Sequence, residues 1–236
     1  MLITQISDCH IAWPPAEGTD RLGDLERCIA YVNALDPQPE LVVHTGDIAH
    51  DGAKIEYEKA AEKLKNLRAN LCVIPGNRDD RRQLRDAFAD RLPANCHKEF
   101  VQYLVSTEKL CVIMLDTAST ESNKGRLCRT RIDHLNSMLE EADGRPVVIF
   151  MHHPPFEIAV ASVPFQFEDR ANLAEFSEIL SRHSNVRRIY CGHSHRAASG
   201  QFVGIAASTI SSTAEDLRMD EPGRMQELWP SHQLAF

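Results

Sequence analysis

Short apolar runs alternate with amphipathic helical patterns along most of the chain. Residues 2–7, 41–45, 71–74, 147–151 and 186–191 are brief and rich in Leu, Val and Ile, which predicts strands. Helical spacing lies between them. Leu22, Leu25, Ile29 and Val32 form one stripe in a helix expected over 22–35. Ala60, Ala61, Leu64 and Leu67 form another within 55–67. Further helices are predicted over 80–88, 131–142 and 173–183. Residues 99–105 and 110–116 are expected to pair antiparallel across the polar turn Ser106-Thr107-Glu108-Lys109. Residues 201–208 and 209–213 are expected as closing strands. From Asp216 onward the pattern is polar and irregular. That places one domain over 1–215 and a tail or oligomer contact over 216–236. The main strands are too apolar to be half exposed, so both faces must be covered, which means layered α/β.

Composition narrows the class. The chain has 236 residues, 43% hydrophobic and 25% charged, ordinary values for a soluble globular protein able to bury its own core. The net charge of −8 and pI near 5.8 argue against a nucleic-acid polymer or a membrane surface as partner, since both need a basic face. No run approaches the roughly 18 apolar residues of a membrane span, and the opening residues lack a signal-peptide pattern. The seven cysteines are scattered and form no CxxC pair, so neither a disulfide framework nor a Cys-rich zinc site is expected. A reducing cytoplasm fits these features.

Candidate chemistry lies where strands stop. Five apolar runs end in residues able to bind metal: Asp8-Cys9-His10, Gly46-Asp47, Gly76-Asn77-Arg78-Asp79, His152-His153-Pro154-Pro155 and Gly192-His193-Ser194-His195. In open α/β sheets the carboxyl ends of strands form the ligand crevice, so these ends could converge. If the backbone there is extended, residues i and i+2 point to one side, and Asp8 and His10 can grip one ion. Each motif alone has a plainer reading. Asp47 could cap the next helix, Asn77 could sit in an ordinary turn, and the histidines of 152–153 could be loop residues stiffened by proline. Together, and in this order, chance assembly is implausible.

The ordered set D-x-H, G-D, G-N-x-D, H-H and G-H-x-H resembles the calcineurin-like metallophosphoesterase superfamily. Within it, residues 150–155 and 190–195 look most like the bacterial class III cyclic-nucleotide phosphodiesterase and glycerophosphodiesterase branch. The resemblance covers roughly residues 1–215. It implies a four-layered α-β-β-α sandwich of two mixed sheets, with a dimetal site at strand carboxyl ends. It implies one metal held by Asp8, His10, Asp47 and His195, and a second held by Asp47, Asn77, His152 and His193, with Asp47 bridging. These nitrogen and oxygen ligands suit Fe, Mn, Zn or Co, divalent or trivalent, and do not choose among them.

The implied reaction is attack of a metal-bound hydroxide on a small phosphodiester, with a cyclic nucleotide as leading substrate. A glycerophosphodiester, or broad phosphodiesterase and phosphomonoesterase activity, is the alternative. Such a cluster brings about +4 of metal charge against two ligand carboxylates, which reconciles an acidic protein with an anionic substrate. The pattern breaks at one place. The family usually has His after the Asn, where this chain has Arg78. A guanidinium holds its proton at ordinary pH but can pair bidentately with phosphate oxygens. Arg78 is therefore expected as an electrostatic clamp, beside Asp47 and Asn77, and a salt bridge to Asp79, Asp80 or Asp86 is its plainer role. His50, His153 and Asp79 are candidates for protonating a leaving group. Arg81, Arg82 and Arg85 are expected on a solvated helix face. Asn123, Lys124 and Trp13 could reach substrate. A reading from another class, a non-catalytic scaffold of the same fold, is disfavoured because all seven ligand positions are filled. A homodimer or higher homo-oligomer is left open.

Overall fold

The computed structural model describes residues 1–159, 161–219 and 233–235. Two sheets carry the fold. The first contains parallel strands β1 (Leu2–Ile6), β2 (Leu41–His44) and β3 (Asn70–Val73), with β10 (Gln233–Ala235) antiparallel on the outer side of β1. The second is ordered β4 (Tyr103–Ser106), β5 (Cys111–Leu115), β6 (Val147–Met151), β7 (Val186–Cys191), β9 (Ile205–Thr209) and β8 (Ala198–Phe202). Its central strands are parallel and its two edges antiparallel. Among the described residues five helices connect them: α1 (Arg21–Ala34), α2 (Lys54–Leu64), α3 (Arg81–Ala87), α4 (Arg129–Glu141) and α5 (Arg170–Arg182). Asp20, Asp80 and Asp169 cap α1, α3 and α5 by accepting from backbone N–H groups in their first turns.

Strand alternation sorts the side chains into layers. Val112, Met114, Val148, Phe150 and Tyr190 pack with β1–β3 and with Leu25, Ile29, Val32, Tyr57, Ala60 and Leu64 of α1 and α2. Their neighbours Cys111, Ile113, Leu115, Val147, Ile149, Met151, Ile189 and Cys191 pack instead with Leu135 and Leu139 of α4 and Phe176 and Ile179 of α5. One face of the second sheet thus packs with the first sheet and its helices, and the other with α4 and α5. Every residue of β1, β5 and β6 is buried, which accounts for the unbroken apolar character of β5 and β6; in β1 the buried Gln5 amide donates to Thr45 Oγ1 and Cys191 O. Among the described residues, no helix is long and apolar enough to cross a membrane.

Three expected strands differ. Residues 99–102 do not join β4. The backbone N–H of Val101 bonds the Asp116 carboxylate at 3.0 Å, and the carbonyl of Gln102 accepts from His97 N at 2.9 Å, so these groups are unavailable to a ladder. The run 201–208 is broken by a hairpin turn, because Val203 (φ 47°) and Gly204 (φ 79°) make a left-handed two-residue turn between β8 and β9. Residues 210–213 leave the sheet: Ser212 Oγ donates to Asp8 O at 2.7 Å and Thr213 N to Ser7 O at 2.8 Å. Of the expected tail, residues 220–232 and 236 lie outside the described residues. Glu215–Leu217 forms a 3₁₀ turn and residues 233–235 supply β10.

Candidate metal centre

The loops after β1 and β2 continue to pair beyond the strands. Asp8 N donates to Gly46 O (3.0 Å), His10 N to Asp47 O (2.9 Å) and Ile11 N to Ile48 O (2.9 Å). A half-buried carboxylate then ties on the loop after β3. Asp79 accepts from Ile48 N (3.2 Å), Ala49 N (3.1 Å), Gly76 N (2.9 Å) and the Tyr57 hydroxyl (3.0 Å). Gly76 is required there, since a Cβ would collide with the Asp47 carboxylate.

Five of the seven candidate ligands have left-handed backbone: Asp8 (φ 56°), His10 (45°), Asp47 (52°), His193 (71°) and His195 (54°). Non-glycine residues seldom hold this conformation, and it costs of the order of 1 kcal/mol or more apiece. The extended backbone expected for Asp8 and His10 is thus corrected. Their side chains converge because both residues turn left-handed, not because they alternate along a strand.

The structure brings all seven residues together, in two groups. Asp8, His10, Asp47 and His195 form the first, with potential ligand atoms within 4.8 Å of one another. Asp8 Oδ1 lies 3.4 Å from His195 Nε2, and His10 Nε2 lies 3.0 Å from His195 Nε2. In the second group Asn77 Oδ1 stands 3.1 Å from His152 Nε2 and 2.8 Å from His193 Nδ1, and those two nitrogens are 3.2 Å apart. Asp47 links the groups. Its Oδ2 is 3.4 Å from His10 Nε2 and 3.6 Å from His152 Nε2, while Arg78 N holds its Oδ1 at 2.7 Å.

The donor set fits metal ions. His152 donates from Nδ1 to Thr45 O (2.7 Å), His193 from Nε2 to Gln166 Oε1 (2.8 Å) and His195 from Nδ1 to Leu217 O (3.1 Å). Gln166 is oriented by its own amide N–H, which donates to Val163 O. Each ring, once neutral, therefore presents a bare lone pair inward. In the second group three lone-pair atoms (Asn77 Oδ1, His152 Nε2, His193 Nδ1) face one another without a proton among them, a repulsive arrangement that a cation relieves. In the first, Asp8 Oδ1 is buried without a hydrogen-bond partner. Neither group contains a thiolate; Cys9 Sγ lies against His44 Nε2 at 3.0 Å.

Burial pushes the imidazoles toward their neutral, ligating form: His10 is lowered to about 2, His193 to about 3, and His152 is also lowered. His195 goes the other way. Burial opposes its charge, but the Asp8 carboxylate overrides this and raises it. Burial also opposes charge on Asp8, and its histidine neighbours, His195 first, bring it below the usual carboxylate range. Asp47 is raised by burial and by the negative charges of Asp8 and Asp79.

The candidate proton donors are committed elsewhere. His153 is buried, with Nδ1 against Thr117 Oγ1 (2.9 Å) and Nε2 against Asn123 O (3.2 Å). His50 Nδ1 faces Arg21 at 3.2 Å, and Asp79 is occupied as above. The solvated face expected for Arg81 and Arg85 is corrected too. Arg81 pairs bidentately with buried Asp116 (2.8 and 2.9 Å), and Arg85 binds the carbonyls of His97 and Phe100. Arg82 is exposed. Arg78 is exposed beside Asn77, and among the described residues its guanidinium has no ion pair. The salt bridge considered for it is not formed. Asn123 touches the centre only through His153, while Lys124 lies over Phe165 and Lys59 over Trp13. The pattern of motifs did not reveal Gln166, Tyr57 or the Leu217 carbonyl. A backbone acceptor carries no side-chain signal, and a single Gln in a loop carries little.

The family model of calcineurin-like phosphoesterases matches residues 1–197. A probable glycerophosphodiester phosphodiesterase of Arcobacter nitrofigilis is 30% identical over 245 residues, covering 100% of this chain and 88% of that protein. A probable cyclic nucleotide phosphodiesterase of Rhodopseudomonas palustris is 32% identical over 211 residues, covering 86% and 74%. A dimetal phosphatase from Danio rerio has a similar fold, with TM-score 0.72 at 15% identity, covering 91% of this chain and 88% of that one.

Proposed function

Since the chain belongs to the calcineurin-like phosphoesterase family, we propose that it is a metal-dependent phosphodiesterase acting on small phosphodiesters, with a cyclic nucleotide as substrate. The reading is carried by Asp47 Oδ2, which stands between His10 and His152 where it can serve both ligand groups. Asp8, His10, Asp47 and His195 would hold one ion; Asp47, Asn77, His152 and His193 would hold the other. Fe, Mn, Zn and Co all suit these donors. When bound, such a pair supplies Lewis acidity, a nucleophilic water at neutral pH and positive charge for the phosphate oxygens.

The chain's own residues shape the rest. Asn77 is a neutral ligand, so it leaves the centre one unit more positive than a carboxylate would. Arg78 adds a fixed cation beside it, free to meet a phosphate because Asp79 and Asp80 are turned to backbone N–H groups. His153, with Thr117 and Asn123, holds the wall of the 117–125 loop. A glycerophosphodiester is the second substrate reading, favoured by the relative that aligns along the whole chain.

The deciding experiment assays metal-free protein reloaded singly with Mn, Fe, Co or Zn. Substrates are bis(p-nitrophenyl) phosphate, 3′,5′- and 2′,3′-cyclic nucleotides and a glycerophosphodiester. Turnover with a cyclic nucleotide above the others supports the reading. Turnover of none, with every metal, would leave a scaffold of the same fold.

A further inference from the structure

Residues 212–219 lie beyond the family match, yet they bond repeatedly to one half of the centre. Ser212 Oγ donates to Asp8 O (2.7 Å) and Thr213 N to Ser7 O (2.8 Å). Leu217 O accepts from His195 Nδ1 (3.1 Å), and Met219 N donates to His195 O (2.9 Å). The segment is closed on itself by Arg218 Nε to Ser212 O at 3.0 Å. It is also fastened to α1. Arg21, 9% exposed, reaches Asp216 through Nε (3.1 Å) and Nη2 (2.8 Å). The same guanidinium donates from Nη1 to His10 O at 2.9 Å. One turn along, the Asp24 carboxylate accepts from Glu215 N at 2.9 Å.

These bonds end on Ser7, Asp8, His10 and His195. The second group has other supports, Thr45 for His152 and Gln166 for His193. We infer that residues 212–219, locked to α1 by the Arg21–Asp216 pair, form a strap that positions Asp8, His10 and His195 and so controls occupancy of the first metal position apart from the second. The inference rests on the two-metal reading. Physically, an imidazole whose distal N–H loses its acceptor is free to rotate or to exchange tautomers, and either removes the inward lone pair. Arg21 and Asp216 are positioning residues in this scheme, since Arg21 meets the His10 carbonyl and Asp216 meets Arg21, and neither belongs to the ligand groups.

The test uses the full chain, stripped of metal and titrated with Mn(II). Metal content is measured after gel filtration, and electron paramagnetic resonance reports whether the ions are magnetically coupled. Wild type is expected to take two Mn(II) per chain with the spectrum of a bridged pair. Asp216→Ala is expected to weaken one position by about 10- to 100-fold. At metal just sufficient for wild type it should carry about one ion, with the six-line signal of isolated Mn(II). Asp216→Glu, which keeps a carboxylate for Arg21, should restore the coupled pair. Combining Asp216→Ala with His195→Ala should lose no more metal, whereas combining it with His193→Ala should lose the remaining ion. Should the Ala variant not fold, Asp216→Asn carries the same expectation. Two coupled ions at wild-type affinity in Asp216→Ala or Asp216→Asn overturns the strap and leaves the two-metal reading standing. Wild type that takes up no Mn(II), Fe, Co or Zn overturns both.

Discussion

The backbone N–H of His193 donates to Asp8 Oδ2 at 3.1 Å, joining the loop after β7 in one sheet to the loop after β1 in the other. The bond fixes one oxygen of Asp8 and leaves Oδ1 directed at His195. Gly192 permits the approach. A Cβ there would lie 2.9 Å from Asp8 Oδ2 and closer still to Ser7 Oγ. Gly192→Ala must therefore part the two loops. The expected result is a folded protein destabilised by about 1–3 kcal/mol, with kcat/KM reduced about 100-fold or more, as misplacement of reacting groups by about 1 Å implies. Steady-state kinetics with a metal titration checks it, and wild-type values in both would remove this role for Gly192.

Asp79 supports the centre from behind. Removing its carboxylate leaves three backbone N–H groups (Ile48, Ala49 and Gly76) without their acceptor. Each unsatisfied buried donor costs about 1–3 kcal/mol, and partial hydration brings the expected total for Asp79→Ala to about 3–4 kcal/mol. Tyr57→Phe loses the hydroxyl that donates to Asp79 and accepts from Asp80 N at 2.7 Å, and should cost about 1–1.5 kcal/mol. Urea denaturation of metal-free protein separates these values. Equal losses in the two variants would contradict this ranking.

Much of this was legible in the sequence. Strands buried on both faces show as apolar runs, so β2, β3 and β6 stood out, with β1 and the apolar end of β7 beside them, and the polar residues that follow them marked the site. Amphipathic spacing placed all five helices within a few residues. The failures share a cause. Val203 is a β-branched residue in a left-handed turn, so Gly204 was the one local sign of the hairpin. Residues 99–102 are apolar enough for a strand but are held by Asp116 and Arg85 from other elements. Arg81 looked solvated because its partner Asp116 is 35 residues away. Tertiary partners decided each case, and spacing along the chain carries no record of them.

Metal binding should release protons. Asp47 is held above its usual range by burial and by its carboxylate neighbours, and His195 is raised by Asp8. Both must lose protons to become ligands, so affinity should climb as pH rises. Calorimetric titration of Mn(II) in two buffers of different ionisation enthalpy gives the number released. A binding heat independent of the buffer would show that the ligands are already deprotonated.

The metal-free protein should be weakened by mild acid. Burial lowers His10 to about 2 and His44 and His193 to about 3, and His152 and His153 shift the same way. Between the ordinary histidine value of about 6.5 and about 3, the unfolded chain takes up protons that the folded chain refuses. Stability is therefore present above about 6.5 and lost as pH falls through that window. His195, raised by Asp8, and Asp24, Asp47 and Asp79, raised by burial, act in the opposite sense, but the five lowered rings, joined by His134, outnumber them. The melting temperature of metal-free protein is expected to fall steadily from pH 7 to pH 4. A flat profile would show that these rings are already protonated in the fold.

Arg78 should favour substrates whose leaving group departs without a proton. Its backbone N–H fixes Asp47 and would remain after substitution, so only the exposed guanidinium is tested. Arg78→Ala should fold and load metal normally while kcat/KM falls about 10- to 100-fold, the loss of a charge-assisted contact worth about 1.5–3 kcal/mol. Arg78→His exchanges a fixed cation for a group that can donate a proton near neutral pH. For p-nitrophenyl esters, whose leaving group is stable as an anion, His should do no better than Ala. For alkyl phosphodiesters, whose alkoxide needs a proton, His should exceed both Ala and the natural Arg. The comparison is a ratio of kcat/KM values for the two substrate types across three proteins, so changes in metal loading cancel. If Arg78→His lowers turnover of the alkyl ester relative to the aryl one, a residue other than position 78 supplies the proton.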